Sequence, residues 1–311
     1  MFKDIILAVT PSEICECAVD AALAYARRFD SKLYLTYVTG IERGWGDMEH
    51  LEASGECQRL RENIETYYKE KLEGVPNLEI LVKAGIPYNE ILRLVRQKKA
   101  DLVVMGPHTK EYTERRSKMW GMAGSTLERV SQRAPCPVMV VTSEVGKPEC
   151  SFDTILVCTD FSKPAECAVN YGGQMARHYK SRLIILHVQE SGAPQEQMDA
   201  IIQENRDRMR EEFAERLKGI EKVDYECTEG KPSTEILKAA RINKAGLVIM
   251  AHHSKEVDPE KALLGSTVIQ VALNSACPTM SVNKHFDLRC GLMYDQTGAV
   301  AETTAQAETQ A

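Results

Sequence analysis

The sequence predicts an α/β protein of two tandem, doubly wound domains, because three observations agree. The first is an internal repeat, since the run ADLVVMGPHTKE at 100–111 returns as AGLVIMAHHSKE at 245–256. The second is the alternation of short apolar runs with longer helical patterns in each half, which is typical of parallel strands joined by right-handed helical crossovers. The third is length, because 311 residues suffice for two domains of ordinary size.

Both halves begin with the same two strands and the same helix between them. A short run rich in β-branched residues, too brief for a buried helix, predicts a buried parallel strand. The first two strands are therefore 4–9 and 32–38, matched in the second half by 153–157 and 182–188. The helix between them carries Glu-Cys-Ala-Val in both copies, with apolar residues three and four positions apart.

The later elements also repeat. A charged helix is predicted at 56–72 and a third strand at 78–82, with counterparts at 195–217 and 223–227. Gly-x-Pro-x-x-Glu-Ile-Leu then opens a helix in each half, since glycine permits the turn and proline suits a first helical turn. The fourth strand is the apolar start of the repeated run. After a further helix come the final strands, within 134–141 and 276–282.

These patterns divide the chain into four parts. We expect domains at 1–142 and 152–284, joined by a linker at 143–151 that contains glycine and proline. Residues 285–311 lose periodicity and end in the low-complexity run AETTAQAETQA. That composition predicts a disordered tail.

Composition and charge exclude several function classes. A formal net charge of −6 argues against a nucleic-acid partner, because no basic face is evident to neutralise phosphates. The sequence has no long apolar run for a membrane span and no signal peptide, so we expect a cytoplasmic protein. The ten cysteines are then expected to be reduced thiols, and no metal-binding pattern of cysteines is present.

The repeated run continues into a candidate anion site. After the strand, each copy has a polar turn with one histidine and one lysine, and then Gly-Ser-Thr at 124–126 or 265–267 opens a new helix. The free N–H groups and the dipole of a helix N-terminus favour anions. An exposed turn histidine without a binding role is the alternative for His108 and His253.

Five motifs in this order resemble the universal stress protein family. They are the first strand, the Gly-x-Pro turn, the DLVVMG strand, the Gly-Ser helix start and the APCP strand, and each has a counterpart in the second half, where GLVIMA and ACP stand for the third and fifth. The resemblance implies a five-stranded parallel sheet of order 3-2-1-4-5 in each half. It also implies that the two last strands pair about a pseudo-two-fold axis. Many members bind ATP between strands one and four, as the switch-point rule for open α/β sheets expects.

The nucleotide motif implied by the resemblance is incomplete in the first half. Gly106 matches its first glycine, but Thr109 stands where the second is expected. The spacer before Gly124 has fourteen residues, which is longer than in the family, and Thr10 replaces the acidic residue after strand one. The ligand residues implied there are Thr10, Val38, Gly106, His108, Thr109, Gly124, Ser125 and Thr126.

The second half departs less from the motif. Asp160 supplies the acid, and the ten-residue spacer before Gly265 is close to the family value, although Ala251 and Ser254 replace both loop glycines. Asp160 could instead cap the following helix. The ligand residues implied there are Asp160, Val188, Ala251, His253, Ser254, Gly265, Ser266 and Thr267. We therefore expect nucleotide affinity to reside in the second half.

Three functions remain open at this point. The first is a stress-response or regulatory module that binds a small ligand, with ATP or another adenine nucleotide implied by the resemblance. The second is a nucleotide-free scaffold that acts through protein partners or as a homodimer. The third is a slow ATPase or phosphotransfer protein, although no Walker loop or nucleophile elbow is present and no catalytic residue is assigned.

Overall fold

The structure, a computed structural model, describes residues 1–10, 15–39, 53–107, 125–142, 152–192, 194–252 and 265–282. The linker and the tail predicted from the sequence lie outside these ranges, and the domain boundaries stay a prediction. The described strands of the first half are β1 Asp4–Ala8, β2 Lys32–Thr39, β3 Leu78–Ala84, β4 Leu102–Met105 and β5 Val138–Val140. Those of the second half are β6 Thr154–Thr159, β7 Arg182–Gln189, β8 Val223–Glu229, β9 Leu247–Ala251 and β10 Thr279–Val282.

The described helices connect these strands as crossovers. In the first half they are α1 Glu16–Phe29, α2 Glu56–Tyr67, α3 Lys69–Leu72, α4 Pro87–Lys98 and α5 Ser125–Arg133. In the second half they are α6 Lys163–Tyr179, α7 Gln195–Phe213, α8 Pro232–Ile242 and α9 Ser266–Asn274. The helix expected at 56–72 is thus interrupted at Tyr68, whose fully buried side chain anchors the junction, and the one expected at 195–217 ends at Phe213.

All ten strands join one sheet in the order β3-β2-β1-β4-β5-β10-β9-β6-β7-β8. Each half therefore has the order 3-2-1-4-5 with parallel neighbours, which confirms the predicted fold class. The last strands of the two halves pair antiparallel, with Met139 opposite Met280. Both methionines are fully buried, so the seam between the halves continues the sheet and covers two edges that would otherwise be exposed.

A cluster of aromatic rings also joins the halves. Phe152, at the start of the second half, stacks on Tyr25 of α1 with ring centroids 5.3 Å apart and on Phe29 at 6.0 Å. Tyr179 of α6 contacts Phe152 at 5.0 Å and Phe29 at 5.2 Å, and Phe2 meets Phe152 edge-on at 6.3 Å. The two halves therefore share one hydrophobic core on the face of the sheet covered by α1 and α6.

The opposite face of the sheet carries two cores, one beneath α4 and α5, which also takes in Ala272 of α9, and one beneath α8 and α9. Before α4 and α8 the backbone turns at Gly85 and Gly230, with φ of +150° and +143°. A side chain is rarely tolerated there, as the Gly-x-Pro motif predicts. These turns bring the starts of α4 and α8 to the carboxyl ends of the strands.

Candidate functional site

A cavity of about 250 Å³ lies at the carboxyl ends of β1 and β4 in the first half. Its walls come from the ends of β1 and β4, the second half of β2, the first turns of α4 and α5, and Cys15 immediately before α1. This is the position where an open α/β sheet reverses its strand order and where such folds bind ligands. Among the described residues, the chain order of the elements therefore creates the cavity.

The cavity has an apolar floor and a hydroxyl-bearing rim. Five of the sequence-predicted ligand residues of the first half line it, and Ser125 and Thr126 form the first turn of α5 there. The other three lie outside the described residues. The five are Thr10, Val38, Gly106, Ser125 and Thr126.

Sequence reasoning missed most of the floor. Ala8, Thr36, Ile91 and Met105 line the cavity, but their short apolar contexts indicate ordinary core positions. One signal was available, because Thr36 is a polar residue within the apolar strand KLYLTYV, where the second copy has Leu186. Thr36 is 1% exposed and its hydroxyl donates to the Tyr34 carbonyl at 3.2 Å. None of the described lining residues carries a charged side chain.

The second cleft begins with Asp160, which follows β6. Its Oδ1 accepts hydrogen bonds from the backbone N–H of Ser162 at 3.1 Å and from the Ser162 hydroxyl at 2.5 Å. Ser162 is the N-cap residue of α6, because its Oγ accepts from the Ala165 N–H at 3.3 Å. Asp160 thus positions the N-cap residue of α6 and is not itself the cap. Among the described residues, its Oδ2 accepts no hydrogen bond. The side chain is exposed.

The residue between Asp160 and the cap is held in an unusual conformation. Phe161 has φ of +61°, which non-glycine residues rarely adopt. Its ring packs 4.6 Å from the ring of His187, and the guanidinium of Arg208 lies over it at 3.9 Å. The Nδ1 of His187 donates to the Thr159 carbonyl at 2.9 Å. These contacts fix the turn that presents Asp160 at the end of β6.

The opposite wall of the second cleft is the start of α9. The N–H of Gly265, its N-cap residue, donates to the carbonyl of His252 at 3.0 Å, so the helix begins directly beside the end of β9. Ser266 and Thr267 form the first turn, where backbone N–H groups have no partner inside the helix. Val188 and Ala251 are half-buried at the ends of β7 and β9. His253 and Ser254 lie outside the described residues.

The two clefts differ in their floors. By sheet register, Ala8 corresponds to Cys158 and Thr36 to Leu186. The second copy thus has the larger side chain at both positions, and Ala251 likewise replaces Gly106. Burial raises the pKa of the Cys158 thiol well above its ordinary range, so the thiol stays neutral. The second cleft is therefore more filled at its base and bears its charge at the mouth.

The remaining predictions about chemistry concern metals, thiols and membranes. Among the described residues, no group of three or more histidine, cysteine or acidic side chains lies close enough to hold a metal ion. The eight cysteines in the described ranges are free thiols. In that same part of the chain, no helix combines the length and the apolar character that crossing a membrane requires.

The fold defines a class of protein, a tandem pair of doubly wound α/β domains joined through their last strands. The sequence model of the universal stress protein family matches residues 1–142 and 151–283. The chain belongs to the universal stress protein family, in a tandem form, as its motifs predict.

Individual relatives agree with this assignment. A universal stress protein of Methanocaldococcus jannaschii is 33% identical over 149 residues, which cover 45% of this chain and 82% of the relative. The crystal structure of a universal stress protein from Archaeoglobus fulgidus aligns over 90% of this chain and 96% of its own, with a TM-score of 0.63 and 22% identity. A Pseudomonas aeruginosa protein of unknown function aligns over 91% and 92%, with a TM-score of 0.56 and 16% identity. These two structures share the fold.

Proposed function

We propose that the chain is a stress-response or regulatory module that binds an adenine nucleotide, and that its principal nucleotide site is the second cleft. One observation carries the proposal. A carboxylate, Asp160, and a helix N-terminus, the first turn of α9, stand at the ends of the adjacent strands β6 and β9. A carboxylate suits ribose hydroxyls, and free helical N–H groups suit phosphate.

The shallow floor defines how the nucleotide lies. Because Cys158 and Leu186 fill the floor of the cleft, the nucleotide binds near the mouth of the cleft. Val188 then lies beside the adenine ring. Oδ2 of Asp160 accepts from the ribose while Oδ1 keeps its contacts to Ser162. Lys231, the exposed N-cap residue of α8, stands where the first half has Ile86 and adds a positive charge to this end of the second half.

Calorimetric titration with ATP tests the choice of cleft. Asp160→Ala and Ser266→Ala are each expected to weaken binding by roughly tenfold or more, because a hydrogen bond to a charged group contributes about 1.5–3 kcal/mol. Ser125→Ala, the matched change in the first half, is expected to leave the affinity unchanged. If Ser125→Ala alone abolishes binding, the assignment to the second cleft is wrong.

A second pair of variants separates ligand binding from capping. Asp160→Asn retains an oxygen acceptor for Ser162 but loses the carboxylate charge, whereas Asp160→Ala loses both. If Asp160 only supports the α6 cap, Asp160→Asn keeps full ATP affinity and only Asp160→Ala lowers the unfolding temperature. Chromatography of the small molecules released from freshly purified, denatured protein identifies the native ligand, and the absence of any adenine nucleotide there would favour the scaffold hypothesis.

A further inference from the structure

We propose that a cavity at the amino end of the second-half sheet binds a small carboxylate whose apolar part is about the size of one ring. The cavity lies between the carboxyl-terminal ends of α8 and α9 and has a volume of about 150 Å³. Ala245 and Cys277, which line it, come just before β9 and β10. The cavity is therefore at the opposite end of these strands from the nucleotide cleft, and this inference goes beyond the proposed function.

The charge of the walls favours an anion. Arg241 and Lys244 line the cavity and are exposed, and neither forms an ion pair with another described residue. None of the eight lining residues is acidic. Burial raises the pKa of the Cys277 thiol, so this group stays neutral at neutral pH. A carboxylate can accept two parallel hydrogen bonds from the planar guanidinium of Arg241 while the Lys244 ammonium adds charge.

The helix ends beside the cavity do not cancel this positive charge. A helix carboxyl terminus carries roughly half a negative charge, and two such ends meet here, against one full positive charge on each of the two side chains. Some of the terminal carbonyls are also occupied. In α8 the Ala240 carbonyl accepts from the Ala245 N–H at 2.8 Å, and in α9 the Val271 carbonyl accepts from the Ser275 N–H at 2.8 Å. About one positive charge therefore remains for a ligand.

The size and the floor of the cavity define the apolar part of the ligand. Leu237, Ala240 and Ala245 supply aliphatic surface, and both alanines are buried. An apolar cavity of about 150 Å³ in another protein accommodates benzene. At the rim, the Nδ2 of Asn274 donates to the Gln270 carbonyl at 2.8 Å and has a second hydrogen available for a ligand. A single ring that carries a carboxylate matches this combination of floor and rim.

The first half has the same charges but less space. Arg96 and Lys99 occupy the corresponding positions at the end of α4. Val95, however, stands where the second half has Ala240. Cys136 is only 4% exposed there, whereas its counterpart before β10 is partly exposed. The smaller side chain of the second copy thus opens the cavity, and the first copy supplies a matched control for the charges.

Calorimetric titration of the full chain with benzoate tests the assignment. We expect saturable binding with a dissociation constant of about 1 mM or below. Benzamide has the same ring without the charge and should bind at least about tenfold more weakly. Arg241→Gln combined with Lys244→Gln should weaken benzoate binding at least about tenfold, because both positive charges are lost. The matched pair in the first half, Arg96→Gln with Lys99→Gln, should leave the affinity unchanged.

Filling the cavity distinguishes it from a merely charged surface. Ala240→Val introduces the side chain of the first copy and should weaken benzoate binding at least about tenfold by occupying the floor. Ala276→Leu changes an exposed lining position and should reproduce the loss if Ala240→Val proves unstable in thermal unfolding. ATP at saturation should not displace benzoate from the wild-type chain.

Four results would overturn the assignment. They are the absence of saturable benzoate binding at about 1 mM, equal affinities for benzoate and benzamide, an equal loss in the first-half pair of variants, and displacement of benzoate by ATP. The last result would place benzoate in the nucleotide cleft. Failure of ATP to bind anywhere would refute the proposed function but leave the benzoate result intact.

Discussion

The aromatic cluster at the seam predicts that the two halves stabilise each other, and Phe152→Ala tests this. Phe152 is 1% exposed and contacts rings from both halves, namely Tyr25 and Phe29 of α1 and Tyr179 of α6. Truncating a buried phenylalanine to alanine costs about 3–5 kcal/mol. Each aromatic pair contributes about 0.5–1.5 kcal/mol beyond its buried area, so we expect the upper part of that range.

The decisive measurement is which helices lose local stability in Phe152→Ala. Hydrogen exchange of α1, which belongs to the first half, should accelerate at least about tenfold in Phe152→Ala, equivalent to 1.4 kcal/mol of local stability. Phe213→Ala is the matched control, because Phe213 is equally buried but lies on α7 within the second half. It should destabilise the second half without changing exchange in α1.

Two results would refute this reasoning. If exchange in α1 is unchanged in Phe152→Ala, the first half does not depend on the ring it packs against. If Phe213→Ala accelerates exchange in α1 equally, the effect is a general loss of stability and the cluster has no special role. Denaturant unfolding of both variants supplies the free energies needed for the comparison.

Further predictions concern a buried acid and two adjacent glycines. Burial raises the pKa of Asp101 to about 6, although its Oδ2 accepts from the Lys3 N–H at 2.7 Å. The folded state therefore favours the protonated acid, and stability should fall by up to about 3 kcal/mol as pH rises from 4 to 7. In Asp101→Asn, thermal unfolding should show no such loss of stability between pH 4 and pH 7. If the wild-type and variant proteins have equal pH profiles of stability, the Asp101 carboxyl is not the cause. Gly172→Ala should destabilise by about 1–3 kcal/mol, because its Cβ would clash with Cγ2 of the fully buried Val157. Gly173→Ala should be neutral or stabilising by up to about 1 kcal/mol, since the closest atom to its Cβ is the end of a flexible side chain, Cδ2 of Leu217 at 2.8 Å. An equal loss of stability in both variants would show that Leu217 does not move aside.

Much of the fold could be predicted from the sequence because it rests on local patterns. Apolar runs of strand length, glycine before proline and the repeat itself place every strand within a few residues of its observed bounds. The break at Tyr68 could not be predicted, since an amphipathic pattern continues through it. It depends on a side chain that becomes buried only when α2 and α3 pack on the sheet.

The candidate site was predictable only in part, for a different physical reason. Glycine, hydroxyl and acidic residues after strands mark the mouths of both clefts, since such residues have little reason to lie there otherwise. The cavity has an open floor because the side chains of Ala8 and Thr36 are small. A small side chain leaves no recognisable pattern in a single strand. Only comparison of the two copies, Thr36 against Leu186, exposes it.

The contacts that join the two halves lie apart from both clefts, so the cleft residues of the two copies are free to differ. The contacts that join the halves come from β5, β10 and the aromatic cluster, on the strands and helices near the pseudo-two-fold axis. The cleft residues make none of those pairings, since Thr36 and Leu186 lie on β2 and β7, and Thr10 and Asp160 follow the ends of β1 and β6. A change in one cleft therefore leaves the seam intact. The pairing of the two halves on one continuous sheet therefore does not require their two clefts to carry the same side chains.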